Sequence, residues 1–215
     1  QEHHSAERWV VLEEKVPEAL HGCADAAIVC GKSSSTASLA VAAEALLKPD
    51  GIAISVQNGL GHAELLVARL GRHRVLAGST THGAMRSLGG VQWTGEGSIR
   101  IGSLPGSELV PGDGRVSKLV DALEDAGLSP GWVFDAESML WTKLLINVAI
   151  NPLAAICGVH NGEILARPDL HQQAMDAMQE AATVAIAEGV DLDGFDFQGE
   201  LDRVLAATAE NRCSM

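Results

Sequence analysis

This 215-residue sequence has little of what several function classes require. Its four cysteines, Cys23, Cys30, Cys157 and Cys213, show no C-x-x-C spacing. Neither a thiolate zinc site nor a disulfide framework is indicated, so no metal is expected and a reducing, cytoplasmic setting is the simplest. Positive charge is scarce, since 15 Lys and Arg against 28 Asp and Glu leave a formal net charge of −13. No basic stripe can offset that balance, so a nucleic-acid partner is not expected; a local cationic pocket for a phosphate is still compatible with it. Nowhere do about 18 apolar residues run uninterrupted, so no membrane span is expected. No signal peptide, internal repeat or low-complexity tract is visible either.

What is present suits an ordinary globular chain. Apolar residues make up 47% and charged residues 20%. The length allows one large domain or two small ones, each with a real core. Through the first part, β-type runs alternate with helical ones. "AAIVC" (26–30), "GIAISVQ" (51–57) and "RVLAGST" (74–80) read as strands, with helices at 36–47 and 62–70 between them. That alternation predicts parallel βαβ packing. "GVQWTG" and "SIRIGS", separated by "EG", read as a hairpin. A Pro/Gly-rich loop (105–114), a helix (116–126) and a short strand at "GWVFD" follow. From Ala136 onward only helical periodicity remains, which puts a domain boundary near Asp135.

The most informative stretch is "WTKLLINVAINPLAAICGVHNGEIL", Trp141 to Leu165. Lys143, Asn147 and Asn151 interrupt it at intervals of four, so they share one helix face, while Leu140, Leu144, Ile146, Val148 and Ile150 are apolar. A buried amide left unpaired costs about 1–3 kcal/mol, and a buried ammonium costs more. The stripe therefore faces partners or a wet cleft. Pro152 removes one helical hydrogen bond, which predicts a kink at Asn151. In the bland alternative, Lys143 snorkels to solvent and the asparagines cap or cross-link neighbouring helices.

The same stretch resembles the signature of the ketopantoate reductase (2-dehydropantoate 2-reductase) family, W-x-K-L-x-x-N-x-x-I-N-P-L-x-A followed by N-G-E-L. Further stretches fit in the same order. "VCGKSSST" resembles the family's strand-end lysine, "SVQNGLG" its Q-N-G-x-G turn, "GSTTHGAM" its T-T-T-H-A-A segment, and "ATAENRCSM" its A-E-N-x-S-S-M run, with Cys213 where serine is usual. The resemblance implies an α/β Rossmann-type dinucleotide-binding domain followed by an all-helical domain. It implies NADPH-dependent reduction of 2-dehydropantoate to pantoate, in pantothenate biosynthesis. Lys143 corresponds to the catalytic general acid. Asn147, Asn151, Asn161 and Ser214 correspond to substrate-binding positions, and Asn58 to a residue between nicotinamide and substrate. Lys32 and Ala84 correspond to cofactor-contacting positions. His82 receives no catalytic role, and the oligomeric state stays open between monomer and homodimer.

Some of the family pattern has no counterpart. No G-x-G-x-x-G turn precedes Lys32, and with it go the first strand, its phosphate-binding helix N-terminus and the basic residue that selects the 2′-phosphate of NADP. The T-E-I-D run downstream is missing too. The expectation is a chain truncated at both ends and inactive by itself. Residues 1–135 would be the remainder of the NADP-binding domain, and 136–215 an incomplete helical substrate domain. A reductase of another branched 2-keto acid, and a noncatalytic dinucleotide-binding paralogue, are the competing readings.

Overall fold

Each apolar run of the first half becomes a strand or a core-facing helix. The computed structural model describes residues 15–87 and 90–212. Strands β1 (Ala24–Val29), β2 (Leu47–Ser55) and β3 (Val75–Thr80) are parallel neighbours, joined through helices α1 (Thr36–Leu46) and α2 (His62–Leu70). Strand β6 (Ile99–Ser103) runs antiparallel to β3, and β7 (Pro130–Trp132) lies parallel to β6 at the far edge.

Side chains alternate across β2 and so build two cores. Ala53 packs with Val29, Val75 and Ala77 against Ala40, Ala43, Leu66 and Leu70 of α1 and α2. Ile52 and Ile54 pack with Leu76 and Ile101 against Val116, Leu119 and Leu123 of α3 (Gly114–Asp125). Burial on both faces is why β3 and the 51–55 part of β2 read as continuous apolar runs, whereas β1 is an edge strand with Ile28 47% exposed.

The structure corrects the expected hairpin. "GVQWTG" forms β5 (Gly90–Gly95), but its partner is β4 (Gly83–Ser87), which carries no obvious strand signal in the sequence. "SIRIGS" instead enters the main sheet as β6. Ile99 and Ile101 of β6 are buried in the α3 core, and that burial outweighs the short "EG" connection.

The second half is helical: α4 (Ala136–Cys157), α5 (Asn161–Ala166), α6 (Pro168–Ala187) and α7 (Phe197–Ala207). Leu145, Ile146, Ala149, Ile150 and Ala154 of α4 form a core with Ile164, Leu170, Ala174, Met178, Leu201 and Leu205. Ala136 of α4 joins the core of the sheet, and Trp141 packs with Ala185 and Val190. With 22 residues and a mean hydropathy of 1.5, α4 is long and apolar enough to cross a membrane by length and composition alone. Those three cores take Ala136, Trp141, Leu145, Ile146, Ala149, Ile150 and Ala154 of the helix, whereas Ile156 is 84% exposed. The helix runs on through Pro152 and stops at Gly158, whose φ of 67° is the left-handed cap that glycine adopts without strain.

Asp135 sets where α4 begins, and so where its polar stripe points. Its carboxylate accepts from the Ser138 backbone N–H at 2.9 Å and from the Ser138 hydroxyl at 2.6 Å. The hydroxyl bond, then the backbone bond, holds the Asp135 pKa below its ordinary 3.8. Asp135→Ala is expected to cost about 1 kcal/mol of stability, the usual value of an N-cap. Because the folded-state pKa is depressed, the charged cap contributes fully above the ordinary value and is lost as pH falls through the lowered one. Urea unfolding of both proteins at neutral and acid pH checks this, with the difference shrinking in acid.

Candidate active site

In a parallel sheet, ligands gather at the carboxyl ends of the strands, where chain reversals expose backbone groups and loop side chains. Here the carboxyl ends of β1, β2 and β3 supply Cys30, Gly31 and Lys32, then Val56, Gln57 and Asn58, then Thr80. All of these line one cleft of about 890 Å³. The opposite wall is α4, which presents Leu144, Asn147, Val148, Asn151 and Pro152. His82 and Ala84, at and after the bend from β3 into β4, complete the lining.

Two members of the helical stripe, Asn147 and Asn151, therefore line a cleft. Asn147 and Asn151 are both half-buried, and Asn151 also has a partner within the protein. Lys143 sits one turn before Asn147 and is half-buried. Its Nζ donates a 2.6 Å hydrogen bond to the carbonyl of Thr80, a cleft-lining residue, although Lys143 itself is not part of the lining. Burial lowers the Lys143 pKa from its ordinary 10.5, because the charged form is the one that loses hydration. No carboxylate forms an ion pair with it among the described residues. An ammonium held this way is a stronger acid than a surface lysine and has a polar cleft beside it.

Lys32, Asn58, Ala84, Asn147 and Asn151 are thus brought together. Asn161 is not among the cleft residues. It opens α5, is 7% exposed, and its Nδ2 donates to Thr208 Oγ1 at 2.9 Å. Its backbone N–H donates to the Asn211 carbonyl. Its Oδ1 is buried with no hydrogen-bond partner among the described residues. Ser214 lies outside the described residues.

Two cleft residues carry more than their sequence signals suggested. Gln57, inside the quoted "SVQNGLG", is buried and makes a dense set of hydrogen bonds. His82 accepts the Gly97 backbone N–H at Nδ1, so its Nε2 carries the proton and donates to the Leu128 carbonyl at 3.0 Å. With both ring nitrogens engaged by backbone, His82 acts as a tie between loops. Trp93 packs edge-on against it, with ring centroids 5.3 Å apart.

No group of three or more His, Cys, Asp or Glu is placed to hold a metal among the described residues. Cys23, Cys30 and Cys157 are free thiols. The chemistry this site offers is a half-buried ammonium beside the cleft, with Lys32, neutral amides and strand-end backbone groups lining a space large enough for a small organic substrate and part of a cofactor.

Comparison with known proteins gives a consistent result. A family model described as ketopantoate reductase PanE/ApbA matches residues 2–106, and one described as ketopantoate reductase PanE/ApbA C terminal matches residues 135–215. A 2-dehydropantoate 2-reductase of Archaeoglobus fulgidus is 37% identical over 166 residues, covering 77% of this chain and 53% of the relative. One from Halobacterium salinarum is 36% identical over 195 residues, covering 89% and 62%. The chain therefore spans somewhat over half the length of these relatives. Among solved structures, a PanE/ApbA family ketopantoate reductase from Ralstonia eutropha aligns with a TM-score of 0.76 at 27% identity, covering 92% of this chain and 62% of that one.

Proposed function

The chain belongs to the ketopantoate reductase family, and from that premise we propose that it carries the catalytic lysine and much of the cleft of a reductase that converts 2-dehydropantoate to pantoate with NADPH. The observation that carries this reading is the placement of Lys143, a half-buried ammonium beside a cleft at the carboxyl ends of parallel strands. In this reading the domain boundary lies near Asp135, so residues 1–135 serve the cofactor and 136–215 the substrate. The free thiols suit a reducing cytoplasm.

The residues present fit a nicotinamide dinucleotide. The strand ends and Lys32 offer backbone groups and a cation to its polar parts, and Ala84 leaves room at the wall. When bound, the cofactor supplies a hydride to the keto carbon. As negative charge grows on the keto oxygen, Lys143 stabilises it and delivers a proton from Nζ. To do so, the ammonium exchanges the Thr80 carbonyl for the substrate oxygen. The depressed pKa favours this transfer, since the neutral amine is the form that burial prefers. Asn147 and Asn151 grip hydroxyl and carboxylate oxygens without adding charge, and Asn58 stands between nicotinamide and substrate. Asn161, which lies outside the cleft lining and whose buried Oδ1 has no hydrogen-bond partner among the described residues, and Ser214 complete the substrate contacts in this reading.

The test uses the full-length protein, following the loss of NADPH absorbance on adding 2-dehydropantoate, with NADH and other branched 2-keto acids in parallel. Fast turnover with 2-dehydropantoate and NADPH is expected. Preference for a different keto acid or for NADH would replace that part of the assignment. No turnover with any of them would favour a noncatalytic paralogue.

A further inference from the structure

Beneath the cofactor side of the cleft lies a polar cluster that the proposed chemistry does not use. Three of its members are nearly or wholly inaccessible: Thr36 at 0%, Ser55 at 4% and Gln57 at 7% exposure. We propose that Gln57 is a positioning residue, clamping the loop that carries Lys32 against the turn that carries Asn58. This rests on the reading above that Lys32 and Asn58 contact the cofactor.

The hydrogen bonds of Gln57 reach across the chain. Its Nε2 donates to the Gly31 carbonyl at 2.8 Å and to Thr36 Oγ1 at 3.0 Å, which uses both amide protons. Its Oε1 accepts from the Ser55 hydroxyl at 3.3 Å. Thr36 in turn donates to the Ser33 carbonyl at 3.0 Å. Lys32 therefore sits between two backbone carbonyls, Gly31 and Ser33, that this cluster holds. On the other side, Asn58 follows Gln57 directly, and its carbonyl accepts from His62 Nε2 at 2.9 Å. The ring's Nδ1 lies 3.4 Å from Thr36 Oγ1. One buried amide thus links the β1–α1 loop to the β2–α2 turn.

The amide orientation is fixed by its partners. A carbonyl can only accept, so the nitrogen of Gln57 must face Gly31. A carboxylate at 57 would set oxygen against carbonyl oxygen in a buried place, with nearly unchanged shape. Asparagine is too short to span the same gap. Glutamine combines the length and the two donors with an acceptor for Ser55, and adds no charge. Gln57 also lines the cleft wall, so slack in this clamp would be felt where a ligand sits.

A merely structural polar cluster would lower stability and nothing else. The clamp predicts a local and ligand-specific loss. In the full-length protein, Gln57→Leu is expected to raise amide hydrogen exchange in the 31–36 and 58–62 segments while leaving α4 to α7 unchanged. It should also weaken NADPH binding, measured by titration, about tenfold, what losing the placement of a charged contact is worth. In a Lys32→Ala background the same change should weaken NADPH by less than about threefold, because residues acting as a unit are not additive. Thr36→Val should reproduce the Gln57→Leu effects and Thr36→Ser should restore them, which keeps the test decisive if the Gln57 variants fold poorly. Equal weakening with and without Lys32, or unchanged exchange at 31–36, would overturn the clamp. If the unaltered protein does not bind NADPH, the cofactor reading falls, and the exchange measurement alone still decides whether Gln57 holds the two loops together.

Discussion

Lys143→Ala in the full-length protein is expected to lower turnover of the proposed reduction about a hundredfold or more, the usual worth of a positioned general acid. Folding should be little affected. Alanine removes a half-buried ammonium that burial already disfavours, and the Thr80 carbonyl it leaves without this donor lies beside a cleft that water can enter. The pH profile carries the sharper signature. In the proposed mechanism Lys143 acts in its protonated form, so kcat/KM should fall as pH rises through its folded-state pKa. Burial sets that pKa below 10.5, so the alkaline limb should come in below the range of an exposed lysine. The residual activity of the alanine variant should lack that limb. Lys143→Arg keeps the cation but holds its proton throughout the accessible range. It should lose turnover as well, because a guanidinium is a poor proton donor and bulkier than the ammonium. Stability has a linked sign: the unfolded chain holds this proton more tightly than the folded one, so stability contributed at this site rises with pH between the lowered value and 10.5. Near-normal turnover in the alanine variant, or an alkaline limb that survives it, would remove Lys143 from the role of acid.

The parts of this protein that were legible in its sequence are those governed by local signals. The α2 helix, His62–Leu70, begins and ends where its apolar periodicity does, between Gly61 and Gly71. Strand β3 follows its apolar run because both faces are buried, and so does the 51–55 part of β2, although that strand begins four residues earlier at Leu47. The intervals of four in α4 pointed to a shared face, and Asn147 and Asn151 of that face line a cleft, with Lys143 beside it. Pairing between strands was less legible. The sequence around Ile99 fits a hairpin as well as a sheet strand, and only the position of β3, reached through Thr80↔Ile99 and Leu76↔Ser103, settles the matter. The Lys143–Thr80 contact joins residues 63 positions apart, and the Gln57–Thr36 pair 21 apart. No periodicity records such contacts. Asn161 shows the same limit from the other side. It continues the run of asparagines in the sequence, but the turn at Gly158 carries it against the segment after α7.

Asn147 and Asn151 should reveal their purpose through the substrate rather than the fold. Both are half-buried on the cleft wall. Hydrogen bonds to a charged group contribute about 1.5–3 kcal/mol, so losing one to a 2-keto carboxylate should raise the Michaelis constant or lower kcat/KM by about ten- to a hundredfold. The corresponding loss of stability should stay below about 1 kcal/mol for Asn147→Ala, as at other half-exposed positions that leave no cavity. Asn151→Ala should cost more stability than Asn147→Ala, because Asn151 also has a partner within the protein. A drop in melting temperature with unchanged kinetics would make these amides interhelical ties instead. Asn147→Asp separates binding from acid strength. A carboxylate there repels the substrate carboxylate, so binding should weaken more than in the alanine variant. It also lies four residues from Lys143 on the same helix face, where a negative charge favours the ammonium. The alkaline limb of the pH profile should therefore move to higher pH in Asn147→Asp and stay in place in Asn147→Ala. A limb that fails to move with the added charge would mean that the titrating acid is not on this face of α4.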